Sequence, residues 1–166
     1  MSADAESALP NLGEALGRIL VGVPRERQPL LIAIAERMAA ERYRGWAADA
    51  AVRNHQADLL ACAAREDEIA HRVEALFPSA AATQRELIAE NPDFEAINRA
   101  IFAGCSLAQQ FTIQARGERL GAATWRAFAK REANSAARAT FLACAALEEE
   151  SAAVLESLQG RLGDGA

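Results

Sequence analysis

The chain has 166 residues, 51% of them hydrophobic and 25% charged, and carries a net charge of −5. That length gives one domain with a core, residues 1–166, and no second domain. The acidic balance excludes a nucleic-acid binder that depends on phosphate contacts, and no apolar run reaches the roughly 18 residues of a membrane span.

About a quarter of the chain is Ala, against 10 Gly and 5 Pro, a composition that predicts an all-α protein. A short helix is expected near residues 10–21. Pro24 then precedes Arg25-Glu26-Arg27, and apolar residues recur at helical spacing through Leu31, Ile34 and Met38. The pattern lapses at Val52-Arg53-Asn54-His55, which predicts a turn. A second long helix follows from about Gln56 to Phe77 and stops at Pro78. Thr83-Gln84-Arg85-Glu86 has the capping-box pattern and predicts a short helix ending before Asn91-Pro92. Another short helix is expected near residues 92–103. Two further long helices then meet at a turn near Asn134-Ser135, the last ending by Gly160.

Self-comparison explains this order. Leu59-Leu60-Ala61-Cys62-Ala63-Ala64-Arg65-Glu66 returns 82 residues later as Phe141-Leu142-Ala143-Cys144-Ala145-Ala146-Leu147-Glu148. Glu36-Arg37 meets Glu118-Arg119 at the same offset, and Tyr43 meets Trp125. From Gln28 to Leu76, 19 of the 49 positions are identical to their partners without a gap, more than Ala bias supplies. The chain is a duplicated unit, about 10–77 and 92–159. Two αα-hairpins joined by a long connection, Pro78 to about Cys105, are the sequence form of a four-helix bundle with a crossover.

Several carboxylates fall on faces that are otherwise apolar. Glu36 shares a stripe with Ile32, Ala40, Tyr43 and Ala47, and Glu118 shares one with Gln114, Ala122, Trp125 and Ala129. Glu68 and His71 are three apart on one face above Ala64 and Ala61, and Glu150 sits with Ala146, Ala143 and Val154. Glu36 to Glu68 and Glu118 to Glu150 are both 32 residues apart, so in antiparallel hairpins the four carboxylates Glu36, Glu68, Glu118 and Glu150 are expected to converge at one level. Carboxylates there must be protonated, paired with Arg, or neutralised by a metal. Carboxylate oxygens with one imidazole suit iron or manganese. Glu66, Asp67, Glu148 and Glu149 form two acidic runs that are expected on a solvated face.

Glu on the first long helix, Glu-x-x-His on the second, Glu on the third and Glu on the fourth resembles the di-iron pattern of ferritin-like proteins. Glu36 seven residues before Tyr43, followed by Glu66-Asp67-Glu68-Ile69-Ala70-His71, is similar to the rubrerythrin branch. The resemblance covers residues 25–158. It implies a ferritin-like bundle in which Glu36, Glu68, His71, Glu118 and Glu150 hold one or two metal ions, iron or manganese. Tyr43 and Trp125 are then either partners of the ligands or plain core aromatics. The implied function is a non-haem iron protein that reduces peroxide or dioxygen.

The sequence departs from the pattern at Ala153, where the fourth-helix histidine is expected, and at Gly121, where a further carboxylate is expected. No Cys₄ motif is present, so electrons are expected from a separate protein. Cys62, Cys105 and Cys144 form no Cys-x-x-Cys pair, and Met1 to Pro10 is acidic without a signal-peptide pattern; both fit a reducing cytoplasm. Family habit implies a homodimer. The competing expectations are an iron-storage protein without turnover, and a metal-free helical bundle serving as an interaction module. In the metal-free bundle, Arg37 and Arg119 would neutralise Glu36 and Glu118.

Overall fold

The computed structural model describes residues 9–163 and is all-helical there. Helix α1, Leu12–Gly22, begins where the Asn11 Oδ1 accepts from the Glu14 N–H at 3.1 Å. The Gln28 amide closes the following turn by donating to the Leu20 and Val23 carbonyls, both at 3.1 Å. Helix α2, Gln28–Ala47, starts with a proline in its first turn, where the missing N–H costs nothing. The lapse at Val52 is a 3₁₀ segment, Ala50–His55, capped by Asp49. Helix α3, Gln56–Glu74, ends four residues before Pro78.

The connection between the two long hairpins carries α4, Ala80–Glu90, and α5, Phe94–Ala100. Helix α4 starts earlier than its Thr83 motif predicts. The Thr83 N–H already donates to the Ser79 carbonyl at 3.0 Å, so Thr83 lies inside the first turn and caps nothing. The capping box occurs instead at Ser106 and Gln109, after a turn in which Gly104 takes φ +74°, and opens α6, Leu107–Arg131. Asn134 caps α7, Ser135–Gly163, by accepting from the Ala136 and Ala137 N–H groups. No helix among the described residues is long and apolar enough to cross a membrane.

The four long helices pack mainly α2 on α3, α6 on α7, and α3 on α7. Surface ion pairs fix the first two contacts as antiparallel. Arg37 pairs with Glu74 and Arg44 with Asp67 across α2 and α3. Eighty-two residues on, Arg119 pairs with Glu156 at 2.7 Å and Arg126 with Glu149 at 2.6 Å across α6 and α7. Arg37 and Arg119 are thus committed to the hairpin seams, and neither neutralises its neighbouring Glu. Each such exposed pair contributes little energy, about 0–1 kcal/mol, but their recurrence shows that both hairpins close in the same register.

Two apolar clusters fill the space between these helices. One gathers Tyr43, Trp46, Leu59, Cys62, Phe111 and Leu155; the other gathers Ile69, Val73, Trp125, Phe141 and Cys144. A third cluster, with Leu30, Leu31, Leu87 and Phe94, seats α1, α4 and α5 against α2.

On α3 the buried stripe is Leu59, Cys62, Ala63, Glu66, Ile69, Ala70 and Val73. Ala61, Ala64 and His71, expected to face inward, are exposed. Larger apolar side chains decided the register: burying Leu59, Ile69 and Val73 removes far more apolar surface than burying two alanines. Adjacent leucines test this directly. Leu59→Ala should lower unfolding free energy by about 2–5 kcal/mol, whereas Leu60→Ala, at a position 45% exposed, should change it by about 0.5 kcal/mol or less in chemical denaturation.

Candidate functional site

The register of α3 and α7 places Glu66 and Glu148 inside, where they join Glu36 of α2 and Glu118 of α6. All four are 7% exposed or less. One carboxylate oxygen from each of Glu36, Glu66 and Glu148 lies within 4.8 Å of the others. Glu66 and Glu148, like Glu36 and Glu118, are 82 residues apart, so the repeat supplies one buried carboxylate per long helix.

The residues expected at these places from sequence sort differently. Glu36 and Glu118 are inside as expected. Glu68 is half-exposed and paired with Arg72 at 2.6 Å, His71 is exposed, and Glu150 is exposed at 4.0 Å from Arg65. Ala153 is exposed too, so a histidine there would also miss the carboxylates. Conversely, Glu66 and Glu148 do not lie on the solvated face expected for their acidic runs, while Asp67 and Glu149 carry the surface pairs. The inward positions three residues after Glu66 and Glu148 are Ile69 and Ser151, so the buried group has no imidazole. The signal that points to Glu66 was present in the sequence: Cys62, Ile69 and Val73 define its stripe.

Hydrogen-bond donors around the carboxylates are unevenly shared. The Tyr43 hydroxyl donates to Glu118 Oε1 at 2.8 Å, and the Gln114 amide donates to the same oxygen at 2.7 Å. Arg42 in turn donates to Gln114 Oε1 at 2.7 Å, orienting that amide. Trp125 Nε1 donates to Glu148 Oε1 at 2.8 Å, and Ser151 Oγ donates to Glu66 Oε1 at 2.8 Å. Tyr43 and Trp125 occupy equivalent positions in the repeat, yet both serve carboxylates of the second unit. Glu66 Oε2 is buried and has no hydrogen-bond partner.

Burial dominates the electrostatics. Desolvation first, and then the charge of Glu118, push the Glu36 carboxyl up to about 8, against which hydrogen bonds from Glu148 and Glu66 act. Desolvation also holds Glu66 and Glu148 well above the usual carboxylate range; the next causes are the charge of Glu118 for Glu66 and that of Glu36 for Glu148. Burial raises the Tyr43 hydroxyl further, so it stays a donor. The same effect pushes the Cys62 thiol up to about 11 and Cys144 to about 12, which suits packed thiols rather than nucleophiles.

Gly121 makes room for this arrangement. A Cβ built there would lie 2.4 Å from Glu148 Oε1 and 2.7 Å from its Cδ. The carboxylate is pinned by Trp125 and has little freedom to retreat.

The site generates two predictions. Gly121→Ala ordinarily favours a helix by about 1 kcal/mol, but here it should destabilise by about 1–2 kcal/mol through overpacking, measured by denaturant unfolding. The second concerns pH in metal-free protein. A carboxyl whose folded pKa is raised stabilises the fold fully below the unfolded pKa, near 4.5, and loses that contribution as pH rises through the folded value, about 8 for Glu36. The thermal midpoint should therefore fall between about pH 5 and about pH 9, with a shallower fall in Glu36→Gln.

Compared with protein-family models, curated proteins and solved structures, the chain matches none of them.

Proposed function

We propose that the chain is an iron-binding protein of ferritin-like, rubrerythrin-like type, a four-helix bundle of two repeated hairpins whose metal ligands are Glu36, Glu66, Glu118 and Glu148. The reaction proposed is reduction of peroxide or dioxygen, with a separate protein as electron donor. The observation that carries this reading is Glu66. Its carboxyl group is fully buried, faces two other carboxyls, and leaves Oε2 without a partner. An unmade bond on a buried polar group costs about 1–3 kcal/mol, and more for a charged one. A cation among these oxygens removes that cost.

The donor set fits a hard divalent ion. It consists of carboxylate oxygens without imidazole or thiolate, donors that suit hard ions such as manganese, and selection of iron would rest on geometry and supply. Four ionised carboxylates carry the charge that two divalent cations cancel. The Glu68-x-x-His71 motif does not support the reading, since both residues lie outside the group. Support comes from one buried carboxylate on each long helix, and from ion pairs that recur at the repeat offset.

Iron, when bound, would supply electrons and Lewis acidity to peroxide or dioxygen. The chain's own residues set the conditions. Tyr43 and Gln114 hold Glu118, Trp125 holds Glu148, and Ser151 holds one oxygen of Glu66. The apolar clusters around Trp46 and Phe111 and around Trp125 and Phe141 pack between the same helices. Metal binding would release the protons held by Glu36, Glu66 and Glu148, so affinity would rise with pH. A second reading has one specific observation in its favour. One oxygen from each of Glu36, Glu66 and Glu148 lies within 4.8 Å of the others, close enough for shared protons alone to neutralise the group and give a metal-free bundle.

Anaerobic loading with ferrous iron separates these readings. Wild type should hold about two irons per chain. Glu66→Gln should lose at least half of that, while Glu68→Gln and His71→Ala should retain it. Peroxide added to loaded protein should then be consumed at one molecule for each pair of ferrous ions oxidised. Iron far above two per chain would indicate storage. No iron under any loading condition would leave the metal-free bundle.

A further inference from the structure

Beside the carboxylates, under α1, lies a chamber of about 260 Å³. Leu12, Leu16 and Leu20 line it from one face of α1, Leu31 and Ala39 from α2, and Phe94 from α5. Helix α1 has no fully buried residue. Its leucines recur every four residues, as on a helix that covers a core, yet they remain half-buried over this space. Contact with α6 holds α1 in place: a Cβ on Gly117 would come within 2.6 Å of Leu12 Cδ2. The helix is therefore seated at one end and bridges an apolar volume that protein atoms do not fill.

The lining turns polar at Glu36, Glu118, Glu148 and Arg42. Arg42 spends its hydrogen bonds on the neutral amide oxygens of Gln114 and Asn98 and lies 3.8 Å over the Phe102 ring. Burial pulls its guanidinium down to about 10. A charged ligand of either sign would lose its hydration among these apolar side chains, while the polar groups of the lining are already bonded: Arg42 to Gln114 and Asn98, Glu118 to Tyr43 and Gln114, Glu148 to Trp125. A neutral molecule avoids that penalty.

We propose that this chamber binds a small neutral molecule with an apolar body and one oxygen, such as an alcohol, aldehyde or ketone, its chain lying under the α1 leucines and its oxygen towards Arg42 and Asn98. A cavity of about 150 Å³ holds the six carbons of benzene, so this one holds about ten non-hydrogen atoms. The inference is independent of iron.

The test uses metal-free full-length protein titrated with 1-nonanol, nonanoate and nonylamine by calorimetry, with methyl NMR to locate the contact. Wild type should bind one 1-nonanol per chain with a Kd below about 1 mM, and the two charged analogues about tenfold or more weakly. Methyl shifts should concentrate at Leu12, Leu16 and Leu20 and spare Leu59. Gly17 lines the chamber, and a Cβ there meets nothing within 4 Å, so Gly17→Phe should fill the space without disturbing the fold. It should weaken 1-nonanol at least about tenfold at an unchanged or higher melting temperature. Should Gly17→Phe lower the melting temperature instead, the methyl shifts in wild type still decide. Absence of saturable binding, shifts away from α1, undiminished binding by folded Gly17→Phe, or preference for either charged analogue would overturn the proposal. None of these outcomes bears on iron loading, so the two readings fail separately.

Discussion

Four carboxyl groups share the buried centre of this protein, and much of its architecture follows from how they are tolerated. Isolated in an apolar interior, each would lose hydration that no packing contact replaces. Together they repel one another when ionised and attract when protons or cations lie between them. The chain reduces that cost with donors at fixed positions: the Tyr43 hydroxyl, the Gln114 amide, the Trp125 indole and the Ser151 hydroxyl. Removing the carboxylates would leave those donors buried and unpaired. The core aromatics and the buried acids therefore depend on one another.

Contacts recur at the 82-residue offset on the surface and change inside. On the surface, Arg37–Glu74 and Arg119–Glu156 repeat residue for residue, as do Arg44–Asp67 and Arg126–Glu149 in kind. Within the core, Tyr43 and Trp125 reach Glu118 and Glu148, both in the second unit, and leave Glu36 facing other carboxyls. Three substitutions between the units explain the difference. Ile32 becomes Gln114, which supplies a second donor to Glu118. Ile69 becomes Ser151, which reaches across to Glu66. Ala39 becomes Gly121, which opens the space that Glu148 occupies. Each change replaces bulk with a donor or with room, and each lies beside a carboxylate.

How far the sequence could be read follows from the same physics. Pro24 and Pro78, the apolar lapse at Val52 and the turn near Asn134-Ser135 placed the long helices approximately, because they act through local backbone geometry, whereas the capping motif read at Thr83 caps nothing. Burial of Glu36 and Glu118 was legible, since their stripes contain Tyr43 and Trp125 and leave one orientation. On α3 and α7 two registers compete. The Glu68–His71 pair lies over small alanines, whereas Glu66 lies among Leu59, Ile69 and Val73. An ion-pair motif is equally comfortable in water, so it carries no information about burial; large aliphatic side chains do. The donor network was not legible at all, because Tyr43 meets Glu118 and Ser151 meets Glu66 only through contacts between the two units. The chamber under α1 was likewise invisible, since it reflects how closely α1 and α6 approach.

The central claim is that Glu36, Glu66, Glu118 and Glu148 form the place where a cation replaces protons. Anomalous diffraction from crystals soaked in manganese tests it most directly. The account predicts anomalous density among these four carboxylates. Density at Glu68 and His71 instead, or an empty centre in crystals that bind manganese elsewhere, would contradict it.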